Sequence, residues 1–167
     1  MKRKTRIRFE DGSIRFLTFG TYRRQAHLAD PRIRDIFVEQ LALAVERGLC
    51  SLYAFVVMPD HVHLLLTPSE DTTITALLSG IKTRSATRAN QLLARKGLPF
   101  WQQGGGYDRN IHTRDEFIEK REYIHANPVT RGLVERNADW VHSSAAFYDG
   151  LAYSGPTITP VDTDFRW

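Results

Sequence analysis

Two histidines separated by a single valine open an apolar run in MPDHVHLLLTP, residues 58 to 68. In an extended strand successive side chains alternate between faces, so His61 and His63 point the same way, roughly 6.5 Å apart along the chain. Val62, Leu64 and Leu66 then take the opposite face and supply the packing. Two imidazoles so disposed can converge on one divalent ion through a nitrogen each. They can also be surface or hydrogen-bonded core residues, and a lone His-x-His does not decide between the readings.

A second chemical group sits in TRDEFIEKREYIHANPVT, residues 113 to 130. Thr113 and Glu116 form a capping box that opens a helix, which Pro128 is expected to stop near Asn127. At about 100° per residue, Tyr123 lies about 120° from Phe117, 140° from Ile118 and 100° from Ile124, outside the apolar stripe. It shares a stripe instead with Glu119 and Asn127, at i−4 and i+4. Such a tyrosine either covers a sheet edge with its hydroxyl wet, or is a reactive group. Next to a metal held by two histidines and an oxygen ligand, its hydroxyl can attack a polarised phosphodiester and form a covalent protein–nucleic-acid bond. Asn127, one turn beyond Tyr123, is placed to supply that oxygen. His125 is less suitable, turned away by about 200°. For the tyrosine proton, a metal-ordered water and Glu119 are the candidate acceptors.

Regular elements must carry these groups. IRFLTFGTY (14–22) alternates as a strand; DPRIRDIFVEQLALAVERG then reads as a helix capped by Asp30, with Pro31 first and Gly48 at its end. Residues 50–57 and 61–67 form a β-hairpin across Met58-Pro59-Asp60. A second helix follows Asp71 and runs to about Leu93, then a glycine-rich loop, a short strand and the tyrosine helix. The C-terminal forty residues are turn-rich. This order predicts one α+β domain over residues 1–167: a ferredoxin-like sandwich, an antiparallel sheet with helices packed on one side.

Composition narrows the partners. An apolar fraction of 42% over 167 residues is that of a globular domain, and no run approaches a membrane span. One cysteine, Cys50, excludes an internal disulfide and an intrachain thiolate cluster, which points to a reducing cytoplasm. The net charge is +4. Lys2, Arg3, Lys4, Arg6 and Arg8 precede any acid, and Lys82, Arg84, Arg88, Arg95 and Lys96 cluster without one. Local excess of this kind suits a phosphate backbone, or simply a basic solubility surface. Along the second helix the apolar stripe gives way to Arg84, Ser85 and Arg88, which either meet an anion or solvate the helix end. Phe100, Trp101 and Tyr107 flank the glycine loop as candidate base-stacking groups or as anchors of the loop.

YAFVVMPDHVHLLL together with REYIHANPVTRGLV resembles the single-tyrosine HUH transposases, most closely the REP-associated tyrosine transposases. FLTFGTYRR, FWQQG, YDRNI and DWVHSSAAFY extend the resemblance over nearly the whole chain. It implies a ferredoxin-like fold and metal-dependent nicking and rejoining of single-stranded DNA beside hairpins, through a 5′-phosphotyrosine. It assigns His61, His63 and Asn127 to the metal, Mg²⁺ or Mn²⁺, and Tyr123 to the nucleophile. Lys2, Arg3, Lys4, Lys82, Arg84 and Arg88 are the candidate DNA contacts, and the protein is expected as a monomer or homodimer. A domesticated, non-catalytic hairpin binder is the competing reading.

Overall fold

The computed structural model describes residues 13–104, 106–161, 165 and 167. The basic arm with Lys2, Arg3 and Lys4 lies outside the described residues. Strand β1 (Ile14–Gly20) leads through two 3-10 turns to helix α1 (Pro31–Glu46). As expected, the Asp30 carboxylate accepts from the Arg32 amide at 2.9 Å, satisfying an otherwise orphaned donor. Strands β2 (Cys50–Val57) and β3 (His61–Pro68) form the hairpin. Helix α2 (Ile74–Leu92) is capped by Thr73, whose hydroxyl accepts from Ala76 N. Strand β4 (Tyr107–Ile111) and helix α3 (Arg114–Thr130) complete the set, with a short α4 (Ala145–Tyr148) in the C-terminal segment.

All pairings in the four-stranded sheet are antiparallel, in the order β2-β3-β1-β4. This is the ferredoxin-like α+β sandwich that the element order predicts. Side-chain alternation divides its apolar residues between two cores. Leu17, Phe19, Val62, Leu64 and Leu66 face α1 and α2, which lie side by side over one surface. Ile14, Phe16, Val56 and Leu65 face the other way and meet Phe117 and Ile124 of α3. The two-helix layer has the expected one-sided arrangement; α3 goes beyond it and covers the reverse face. The reason is apolar residues on both sides of each strand, more than one helical layer can bury.

One boundary differs from the sequence reading. Helix α3 does not stop at Asn127 but runs on to Thr130 with Pro128 inside its last turn. Leu133 N bonds Pro128 O and Gly132 N bonds Val129 O, with Gly132 at φ +69°. This Schellman-type closure satisfies the last carbonyls and holds the turn that proline would otherwise release. The turn-rich C-terminal segment also has a definite place. Val57 N donates to His142 O and Ser144 N to Phe55 O, while Trp140 Nε1 donates to Val57 O at 3.0 Å. These bonds cover the outer edge of β2, which would otherwise be open to pairing with other chains.

Candidate active site

His61 and His63 project from β3 toward α3 and are 3% and 4% exposed. Register places each beside its partner. Asp60 Oδ1 lies 2.6 Å from His61 Nδ1, and Thr18, directly across on β1, puts Oγ1 2.6 Å from His63 Nδ1. Both Nδ1 atoms are therefore engaged, and the two Nε2 atoms face each other 3.1 Å apart. Asn127 approaches from α3, its amide 3.3 Å from His63 Nε2. Burial, the neighbouring His61 and the charges of Arg24 and Arg131 lower His63 to about 3; burial likewise lowers His61, against the pull of Asp60. At neutral pH both rings are uncharged, the state a metal ligand needs.

His61, donating through Nδ1 to the Asp60 carboxylate, presents a lone pair at Nε2; His63 does the same when its Nδ1 carries the proton and donates to Thr18 Oγ1, and in that tautomer a cation can join the two nitrogens. Adjacent ligands of an octahedral ion with bonds of about 2.1 Å stand about 3.0 Å apart, close to the observed separation. The donor set thus fits a small divalent ion, with Asn127 as third ligand once its amide turns its oxygen inward; nitrogen and oxygen of an amide are interchanged by a simple flip. Among the described residues no group of three or more His, Cys, Asp or Glu forms an alternative metal site.

Tyr123 stands beside this pair. Its ring meets His63 edge-on at 5.3 Å between centroids and Phe16 at 6.1 Å, while Phe16 itself stacks on His63 at 5.7 Å. Despite these ring contacts the tyrosine is 51% exposed. It opens onto a cleft of about 520 Å³ that His61, His63 and Asn127 also line, together with Arg24, Lys120 and Arg131. Of the sequence candidates, His61, His63, Tyr123 and Asn127 come together in one cleft. His125 points away and bonds Ser144 Oγ at 2.8 Å.

Other candidates fall elsewhere. Glu119 is not among the cleft residues and pairs with Lys120 at 2.9 Å. Arg84 donates to Gln40 at 3.0 Å and Arg88 pairs with Glu39 at 2.6 Å, so both heads tie α2 to α1. Lys82 points elsewhere, its ammonium 5.1 Å from the Phe19 ring in a separate cleft that Trp101 and Gln102 also line. Phe100 and Trp101 are buried anchors of the loop, whereas Tyr107 is half exposed and lines the cleft. Thr18, Arg24, Lys120 and Arg131 were not singled out. Lys120 and Arg131 could have been, because they sit at i−3 from Tyr123 and i+4 from Asn127. Thr18 needs the strand pairing, and Arg24 carries no local signal.

A solved REP-associated tyrosine transposase, bound to a REP hairpin, superposes with a TM-score of 0.67 at 20% identity, covering 100% of this chain and 99% of its own. A putative transposase from Deinococcus radiodurans R1 is 24% identical, with a TM-score of 0.49 over 74% of this chain and 95% of its own. The family described as "Transposase IS200 like" matches residues 9–127, and the chain belongs to that family. No curated protein matches it. The matched span contains all four convergent residues.

Proposed function

We propose that this transposase nicks and rejoins single-stranded DNA through a covalent bond to Tyr123, with a divalent ion held by His61, His63 and Asn127. The observation that carries the reading is the convergence of these four side chains on one open cleft. The Tyr123 oxygen attacks phosphorus, the bond to the 3′ oxygen breaks, and a free 3′-hydroxyl leaves a 5′-phosphotyrosine. Attack by a 3′-hydroxyl reverses the step and reseals a strand. When bound, Mg²⁺ or Mn²⁺ polarises the phosphoryl oxygen and orients the phosphate. The Asp60 carboxylate fixes the His61 tautomer and Thr18 orients the His63 ring, so both Nε2 atoms are already turned toward one point. Among the described residues no carboxylate lines the cleft, which favours water over Glu119 as acceptor of the tyrosine proton. A hairpin beside the cleaved strand is the substrate feature suggested by the hairpin in the REP-associated relative.

The test is trapping on a denaturing gel. Wild-type protein incubated with Mn²⁺ and single-stranded DNA carrying a hairpin should give a slow-migrating protein–DNA adduct that Tyr123→Phe does not. Tyr107→Phe is the sharpest control, since Tyr107 lines the same cleft and is equally exposed; it should still form the adduct. Tyr22, Tyr53, Tyr148 and Tyr153 serve as further controls. Hairpin binding with no adduct from the wild type would establish the non-catalytic, domesticated alternative. An adduct that survives in Tyr123→Phe would move the nucleophile elsewhere.

A further inference from the structure

The cleft contains a charge arrangement that the metal ligands do not explain. Among the described residues three cations, Arg24, Lys120 and Arg131, line a pocket whose other polar groups are suited to a divalent cation. Like charges around a metal site weaken metal binding unless an anion lies between them. Lys120 is already paired with Glu119, and Arg131 is an exposed helix C-cap with ordinary backbone angles. Arg24 is exposed like Arg131 but differs in its backbone, which is left-handed at φ +57°. Its Nε rests 3.5 Å from Asp60, a weak contact, and no hydrogen bond to its terminal nitrogens forms among the described residues.

The backbone that carries Arg24 is strained. Arg23 and Arg24 are consecutive left-handed residues, at φ +53° and +57°. Each such residue costs about 1–2 kcal/mol, a cost glycine would not incur. The surroundings over-determine the turn. Thr21 N and Oγ1 both bond Asp60 O, Tyr22 N donates to Phe100 O, and Arg23 N donates to Gln102 Oε1. Gly20 completes the mount: a Cβ there would come within 3.1 Å of Arg24 Nη1 and 3.3 Å of Asp60 O. Strain held this firmly beside reacting groups is characteristic of functional positions.

We infer that Arg24 is a catalytic residue whose guanidinium donates to a non-bridging oxygen of the scissile phosphate, on the side away from the histidine pair. The inference rests on the phosphotyrosine reading above. Planar donors in a fork match phosphate geometry, and the extra negative charge that develops on the equatorial oxygens is where such a donor acts most strongly.

Arg24→Gly tests this directly, because glycine removes the guanidinium and relieves the left-handed strain. The variant should melt at or above the wild-type temperature and bind Mn²⁺ at least as tightly. Wild-type protein first selects a cleaved sequence from single-stranded oligonucleotides with a randomised segment flanking a hairpin; failure to obtain any adduct there would sink the phosphotyrosine reading itself and the inference with it. The selected strand is then made with an ordinary phosphodiester and with each phosphorothioate diastereomer at the cleaved bond. Arg24→Gly should lower kcat by about 100-fold or more on the phosphodiester, with KM within threefold. Its penalty should shrink below tenfold on the one diastereomer whose sulfur replaces the oxygen facing Arg24. Equal penalties on all three substrates would mean that Arg24 only shapes the cleft, and a phosphodiester rate within threefold of wild type would remove any role. Either result overturns the inference.

Discussion

Leu64 and His63 are adjacent in β3 and almost equally buried, at 0% and 4% exposed, yet they face different worlds across the sheet. On the α1/α2 side Leu64 packs among apolar side chains such as Phe37, Leu41 and Phe55. On the α3 side His63 has a hydroxyl on one nitrogen and a second imidazole and an amide at the other. The first face converts burial into stability, at about 25 cal/mol per Å² of apolar surface. The second uses burial to keep polar groups oriented and uncharged, an arrangement whose value lies in what it binds. One strand thus serves cohesion on one side and chemistry on the other.

The strongest way to break this contrast is at the histidines. His61→Ala/His63→Ala should lower Mn²⁺ affinity by more than 100-fold and abolish the rise in melting temperature that Mn²⁺ gives the wild type, as isothermal titration and thermal melts would read. Unchanged Mn²⁺ affinity would refute the metal site. Its counterpart is Leu64→Ala, expected to cost about 3 kcal/mol in urea unfolding while Mn²⁺ affinity per folded molecule stays the same. Equal metal losses in both proteins would show that the faces are not separable. Thr18→Val removes only the partner of His63 Nδ1, so a loss of about tenfold in Mn²⁺ affinity is predicted, with about 1 kcal/mol of stability.

The charged residues sharpen the same contrast in salt titrations. A cation that meets phosphate contributes about 0.7 to the slope of log affinity against log salt for single strands. Arg131→Ala, in the cleft, should flatten the slope by about that amount. Arg88→Ala should leave it unchanged, because that head is tied to Glu39 across α1 and α2, and its half-exposed pair contributes at most about 0.5 kcal/mol. The smallest effect expected is at Cys50. Burial pushes its thiol up to about 11, so iodoacetamide at pH 8 should label the unfolded chain and leave the native one unmodified.

Local physical rules carried much of this in the residues themselves. Period-2 alternation puts His61 and His63 on one face whatever the partner strand, and helical rotation separates Tyr123 from Phe117 and Ile124 in any fold. Capping chemistry located the starts of α1 and α3 at Asp30 and Thr113. The same rotation grouped Glu119 with Tyr123, yet in the folded protein Glu119 pairs with Lys120 outside the cleft. Angular phase says which residues share a stripe; it does not say how far along the helix the neighbouring sheet extends. Arg84 and Arg88 mark a similar limit, since an arginine bound for phosphate and one bound for Gln40 or Glu39 look alike until α1 lies beside α2.

By itself, then, the sequence determined the order of elements, the shared face of the histidine pair and the exposure of Tyr123 from its helix's apolar stripe, because each depends on interactions within a few residues. Only the tertiary structure decided that Thr18 stands opposite His63, that α3 crosses to the histidine face, and that Arg24 reaches the cleft from the end of β1. Those outcomes depend on which apolar faces bury one another and in what strand register, a choice made between segments far apart in the chain and written in no single one of them.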